Sequence, residues 1–201
     1  MQVKNQMSRK VVTIPPETSI LRAMEVMREN SIRHLPVVEG EDLVGLVTEG
    51  DLRQGSLLSL VDKVSIEDVM IKNPLTISPD ASVEEAAKII YRHKVGGLPV
   101  VKESKLVGII TIVDLLQSFI HLLGILKSSC RIDLVLGGKS QAFEEVSAVF
   151  RSHKAEIISL GMSNHKDRKK RVYYFRLGKC RAEPVVDSLK KKGYRVLSVL
   201  N

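Results

Sequence analysis

The chain has 201 residues, 44% of them hydrophobic and 27% charged, which is the balance of a globular protein with one large domain or two small ones. It has no Trp and only four Tyr and four Phe, so a stacking surface for single-stranded nucleic acid is not expected. The net charge of +8 is uneven: Lys127 to Asn201 holds 17 basic and 7 acidic residues, against 14 and 16 before it, so a near-neutral front part precedes a basic tail.

Met1 to Met7 shows no apolar signal-peptide core, and Ile109 to Leu126 is interrupted by Asp114, Gln117, Ser118 and His121. Neither a secretory signal nor a membrane span is expected, and the reading is cytoplasmic. Cys130 and Cys180 have no CxxC neighbour and read as ordinary reduced thiols rather than a disulfide framework.

The front part is written twice. Met7 to Leu52 aligns without a gap on Met70 to Leu115, with sixteen of forty-six positions identical, so one supersecondary unit has been duplicated. Each copy opens on a short extended run, Val11 to Ile14 or Leu75 to Ile77, followed by Pro16 or Pro79. A helix start comes next at Ser19 or Ser82, where Ser82-Val83-Glu84-Glu85 has the form of a capping box. Ile20, Ala23, Met24 and Met27, and Val83, Ala86, Ala87 and Ile90, then recur at helical spacing. Two strands follow, around Leu35–Val38 and Leu43–Val47 and around Leu98–Val101 and Leu106–Ile110, with polar turns between them. A last helix starts at Thr48 or Thr111. The order per copy is β-α-β-β-α, and Ser65 to Asp68 caps a short helix that introduces the second copy.

The tail reads β-α-β-β-α-β, the ferredoxin-like order. Its strands lie at Cys130–Leu136, Ala155–Met162, Arg171–Leu177 and Tyr194–Leu200, and its helices at Gln141–His153 and Ala182–Lys192, with Gly193 closing the second.

The repeated stretch with most chemistry is Gly45-Leu46-Val47-Thr48-Glu49-Gly50-Asp51, answered by Gly108-Ile109-Ile110-Thr111-Ile112-Val113-Asp114. A helix start offers N–H groups and a positive dipole end to phosphate. The threonine hydroxyl can join them, and a carboxylate one turn on can accept ribose hydroxyls. The same Thr-x-x-Asp pattern also caps a helix with no ligand at all.

With Thr13-Ile14 and Thr76-Ile77, and Leu35-Pro36-Val37-Val38 and Leu98-Pro99-Val100-Val101, these motifs make Met7 to Leu116 resemble a pair of CBS domains, a Bateman module. The resemblance implies an adenine nucleotide or related adenosyl ligand (AMP, ADP, ATP, NAD or S-adenosylmethionine) in two clefts, with no cofactor required. It implies that Asp51 and Asp114 hold ribose and Thr48 and Thr111 help hold phosphate. Ile14, Ile32 and Pro36 would line one adenine pocket, and Ile77, Val95 and Pro99 the other. Arg33 and His34 suit a polyphosphate, although His34 reads equally as a structural histidine. Gly96 and Gly97 permit close approach in the second copy, and Glu49 would repel phosphate where Ile112 would not.

The tail resembles an ACT domain, and the whole arrangement resembles acetoin utilisation (AcuB-type) proteins. Ser140-Gln141 stand where that turn usually carries Pro-Gly, which favours packing or dimerisation over amino-acid binding. The expected fold class is therefore α/β (α+β), with CBS repeats at 1–62 and 63–126 and an ACT-like domain at 127–201.

Gly137-Gly138-Lys139-Ser140 ends like a P-loop, but Asp133 stands where the first glycine belongs, so it reads as a turn. The basic run His165 to Arg171 reads as a solvated loop, with a nucleic-acid contact as the alternative. No residue set spaced for catalysis or for a metal appears, so the expectation is a non-enzymatic regulator without a metal site. The apolar stretch Ile112, Val113, Leu115, Leu116, Phe119, Ile120, Leu122 and Leu123 covers more than one helix face and predicts a homodimer. The regulated target is not legible.

Overall fold

Ser19 and Ser82 start equivalent helices. Ser19 accepts the N–H of Arg22 at 3.2 Å and Ser82 that of Glu85 at 3.0 Å, each satisfying a donor that a helix start leaves over. They open α1 (Ile20–Glu29) and α4 (Val83–His93). These bury Ile20, Ala23 and Met27, and Val83, Ala86 and Ile90, the expected stripes. Met24, 40% exposed, and Ala87, half-buried, are the exceptions, and Val26 is buried in α1 instead.

In the computed structural model the described residues are 1–58, 64–127, 129–137, 141–164 and 171–200. They form two compact units, Met1–Leu116 and Gln117–Asn201. Residues 138–140 of the Gly-Lys-Ser turn, His165 to Lys170 of the basic run, and the 62/63 boundary lie outside the described residues.

Each helix leads into a hairpin, β1 (His34–Glu39) with β2 (Asp42–Thr48), and β4 (Gly97–Lys102) with β5 (Lys105–Thr111). The registers are equivalent, Leu35 opposite Val47 and Leu98 opposite Ile110. Helices α2 (Glu49–Leu58) and α5 (Ile112–Leu123) follow directly. The hairpins join at Asp42 and Lys105 into a sheet ordered β1-β2-β5-β4.

The expected opening strands are shorter than the sequence suggested. Ile14 makes one parallel bridge to Val37, and Ile77 one to Val100. Prolines flank both runs (Pro15 and Pro16; Pro74 and Pro79), and proline supplies no N–H to extend a ladder.

The copies also trade their leading segments. Helix α3 (Ile66–Val69) and β3 (Ile71–Lys72) precede the second copy in the chain yet pack on the first. Ile66 donates to the Thr18 carbonyl at 3.1 Å, and Ile71 pairs with Leu46. In return Val3 donates to the Ala81 carbonyl at 2.9 Å, and Ser8 bridges Ile109. Val3 and Ile66 are both fully buried, so each copy completes its core with a side chain from the other's leader.

The second unit has β6 (Ser129–Val135), α6 (Ala142–Ser152), β7 (Ile157–Asn164), β8 (Arg171–Gly178), α7 (Ala182–Lys191) and β9 (Arg195–Leu200). The antiparallel order β7-β8-β6-β9 is that of the ferredoxin-like fold. Ile132, Leu134, Phe175 and Leu177 on the sheet pack against Val146, Phe150, Val185 and Leu189 on the helices. Gly193, at φ +83°, ends α7 as expected.

Candidate functional site

Both Thr-x-x-Asp motifs stand at a strand-to-helix junction. Asp51 Oδ2 accepts the Thr48 backbone N–H at 2.8 Å and its hydroxyl at 2.6 Å. Asp114 Oδ2 accepts the same two groups of Thr111, each at 2.7 Å. The first helical N–H groups are also taken, Glu49 donating to the Arg33 carbonyl at 3.1 Å and Ile112 to that of Gly96 at 3.0 Å. The capping role of the motif is therefore realised in both copies. A ligand that uses these aspartates has to share or displace that bond.

Each motif opens onto a cavity, and each cavity draws on both copies. The first, about 430 Å³, is lined by Thr48, Glu49 and Asp51 with Leu46, by Ile71 of the exchanged segment, and by Lys94 to Gly97 of the second copy. The second, about 710 Å³, is lined by Thr111 and Asp114 with Ile109, by Ser8 of the other exchanged segment with Lys10, Val11 and Val12 after it, and by Ser31 to His34 of the first copy. Ile32 lines the cleft of Asp114 and Val95 that of Asp51. Arg33, His34 and Gly96 border both cavities. Ile14 and Ile77 are core side chains, and Pro36 and Pro99 are buried in their strands; none of the four lines either cavity. Lys10, Ile71 and Ser8 were missed because they enter from segments outside the recognised motifs. The repeat offset that relates Ile71 to Ser8 and Leu46 to Ile109 was the available signal.

His34 stands at the junction. Burial lowers its imidazole below the ordinary 6.5, the adjacent Arg33 adds to the fall, and Asp51 opposes it. The ring is therefore neutral at pH 7, a hydrogen-bonding wall rather than a fixed cation. Glu49, expected to repel phosphate, is instead bound by Arg53 at 2.9 Å and lies 3.7 Å from Arg33, so its charge is offset locally. The second cleft carries Lys10 and Arg33, and the only carboxylate of its lining is Asp114. A third groove of about 730 Å³ runs between α1 and α2 over Leu21, Met24 and Leu52.

The CBS domain family matches residues 2–57 and again 66–121, which together are more than half of the chain. The chain belongs to the CBS-domain family. Both matched stretches include the exchanged leaders, in agreement with the packing of the CBS pair. An inosine-5'-monophosphate dehydrogenase of Korarchaeum cryptofilum is 41% identical over 117 residues, 56% of this chain and 23% of that enzyme. The chain thus spans about a quarter of that relative's length. Among solved structures, a Vibrio cholerae protein assigned to acetoin utilization (AcuB) is 32% identical with TM-score 0.58, covering 63% of this chain and 96% of that one. The CBS pair of MJ0100, in complex with 5-methylthioadenosine and S-adenosyl-L-methionine, is 30% identical with TM-score 0.55, over 59% and 95%. CBSX2 in complex with AMP is 28% identical with TM-score 0.54, over 60% and 96%.

Proposed function

We propose that the chain is a non-enzymatic regulatory sensor whose CBS pair binds an adenine nucleotide or related adenosyl ligand. The observation that supports this most is the pair of clefts, each joining a Thr–Asp helix start from one copy to a loop from the other. Cavities of this size suit a small-molecule ligand. Thr48, Asp51, Val95 and Gly96 serve one cleft, Ile32, Thr111 and Asp114 the other, with Arg33 and His34 between them. The cations Lys10 and Arg33 favour a phosphate-bearing ligand in the second cleft. The CBS pairs of known structure that hold AMP, S-adenosyl-L-methionine and 5-methylthioadenosine support this ligand class.

Because each cleft is built from both copies, a bound ligand bridges them and favours one relative orientation. Signalling then requires only that the two orientations differ in affinity. In this reading the C-terminal domain, ACT-like and beginning near residue 127, serves dimerisation or readout. A second copy of the chain covers Leu21 and Met24 of α1 and Leu116 of α5, which are 68%, 40% and 57% exposed. The setting is cytoplasmic; no helix among the described residues is long and apolar enough to cross a membrane.

Calorimetric titration with AMP, ADP, ATP, NAD and S-adenosylmethionine tests the reading. Binding of at least one is expected, together with a rise in melting temperature; a ligand at a hundredfold excess over Kd adds about 2.7 kcal/mol. Absence of both heat and thermal shift with every compound at millimolar concentration overturns it.

A further inference from the structure

Cys130 lies in β6 and Cys180 in the turn between β8 and α7, fifty positions apart, yet their Sγ atoms stand 3.3 Å from each other. Both are free thiols. We propose that this pair is an oxidisable dithiol that closes to an intramolecular Cys130–Cys180 disulfide when the protein meets a peroxide.

The two thiols differ in access. Cys130 is 3% exposed and belongs to the core of the second unit, beside Ile132 and Leu177. Cys180 is half-buried and packs on the edge of that core. Burial and the hydrogen bond to Cys180 push the Cys130 thiol up to about 12, so it does not ionise near neutrality and does not meet an external oxidant first. Cys180 is the entry point. Its sulfur attacks one peroxide oxygen, the O–O bond breaks, and Cys180 becomes a sulfenic acid while the other oxygen takes the Cys180 thiol proton and leaves as water. The Cys130 sulfur then attacks Cys180 Sγ. The S–O bond breaks, and the departing hydroxide takes the Cys130 thiol proton and leaves as a second water. Two thiols have lost two protons and two electrons, and the peroxide has gained them.

The position suits a reversible modification. The Cys180 sulfur is already in contact with the resolving sulfur, so sulfenic acid is trapped before further oxidation. Cys180 stands two residues before the first residue of α7, and Cys130 is in the strand that pairs with both β8 and β9, so the bond ties the approach to that helix to a central strand of the sheet. A bridge across fifty residues removes chain entropy from the unfolded state, so oxidation raises thermal stability. The inference rests on the second unit alone and is independent of ligand binding by the CBS pair.

The test treats the full chain with hydrogen peroxide, then denatures it without reductant in the presence of iodoacetamide and measures the intact mass. The expected result is a monomeric chain with no alkylation, lighter by two hydrogen atoms, that regains two reactive thiols after dithiothreitol and melts higher when oxidised. Cys180→Ser, at the less buried position, is expected to keep its one thiol and lose the thermal gain. Alkylation at both positions after peroxide, sulfinic acid at Cys180, or a disulfide between chains each overturns the proposal. A peptide digest of the non-reduced protein separates the same outcomes without any variant.

Discussion

His34 of the first CBS repeat packs against Gly96 of the second so closely that a Cβ at position 96 would lie 2.5 Å from His34 Nε2. The two residues form the wall that both clefts share. Gly96→Ala therefore forces the imidazole to move or the loop to open. Overpacking of this kind costs about 1–3 kcal/mol. The expected outcome is weaker nucleotide binding at both clefts, read by calorimetry, where a change confined to one cleft would refute the shared wall.

The paired aspartates carry two duties on one oxygen. Asp51→Ala and Asp114→Ala should each lose affinity at their own cleft by about 1.5–3 kcal/mol, the scale of a hydrogen bond to a charged group. They should also lower the melting temperature, because Thr48 and Thr111 lose the acceptor that caps their helices. Titration together with thermal melts separates the duties: a lower melting point with unchanged affinity leaves capping as the sole role.

Stability should depend on His34 in the acid range below pH 6.5. Its folded value lies below the ordinary 6.5 through burial and Arg33, so the unfolded chain binds the proton more readily. The contribution is complete above pH 6.5 and is lost as pH falls from there through the lowered value. His34→Gln should remove that part of the decline. Melting curves of both proteins from about pH 7.5 to 5 check it; parallel profiles would show that His34 does not titrate between the two states.

The association surface proposed for α1 and α5 makes a simple demand. Leu21→Glu with Leu116→Glu should give a monomer in sedimentation at micromolar concentration, where the unmodified chain sediments as a dimer. Burial of such side chains is worth about 1.5–3 kcal/mol each, so two charged replacements remove much of the contact. A mass near 22.4 kDa for the unmodified chain at every concentration would rule the dimer out.

The duplication, the helix stripes, the hairpins and the β-α-β-β-α-β order of the tail were legible in the sequence. They depend on residues close in the chain: periodic apolar side chains, Ser19 and Ser82 as caps, Gly193 as a helix end. Thr48, Asp51, Thr111 and Asp114 were legible for the same reason, since a cap is a local event spanning three residues. The sequence by itself thus determined the family, the elements and the residues at which each cleft begins. Only the tertiary structure decided how they combine. The leaders Val3–Ser8 and Ile66–Lys72 each sit on the other copy, and Ile32 lines the cavity of Asp114 while Val95 lines that of Asp51. Ile14 and Ile77 went to the core, and Cys130 came to rest on Cys180. No local pattern encodes such pairings, because they follow from the burial of long-range apolar surface as each unit folds.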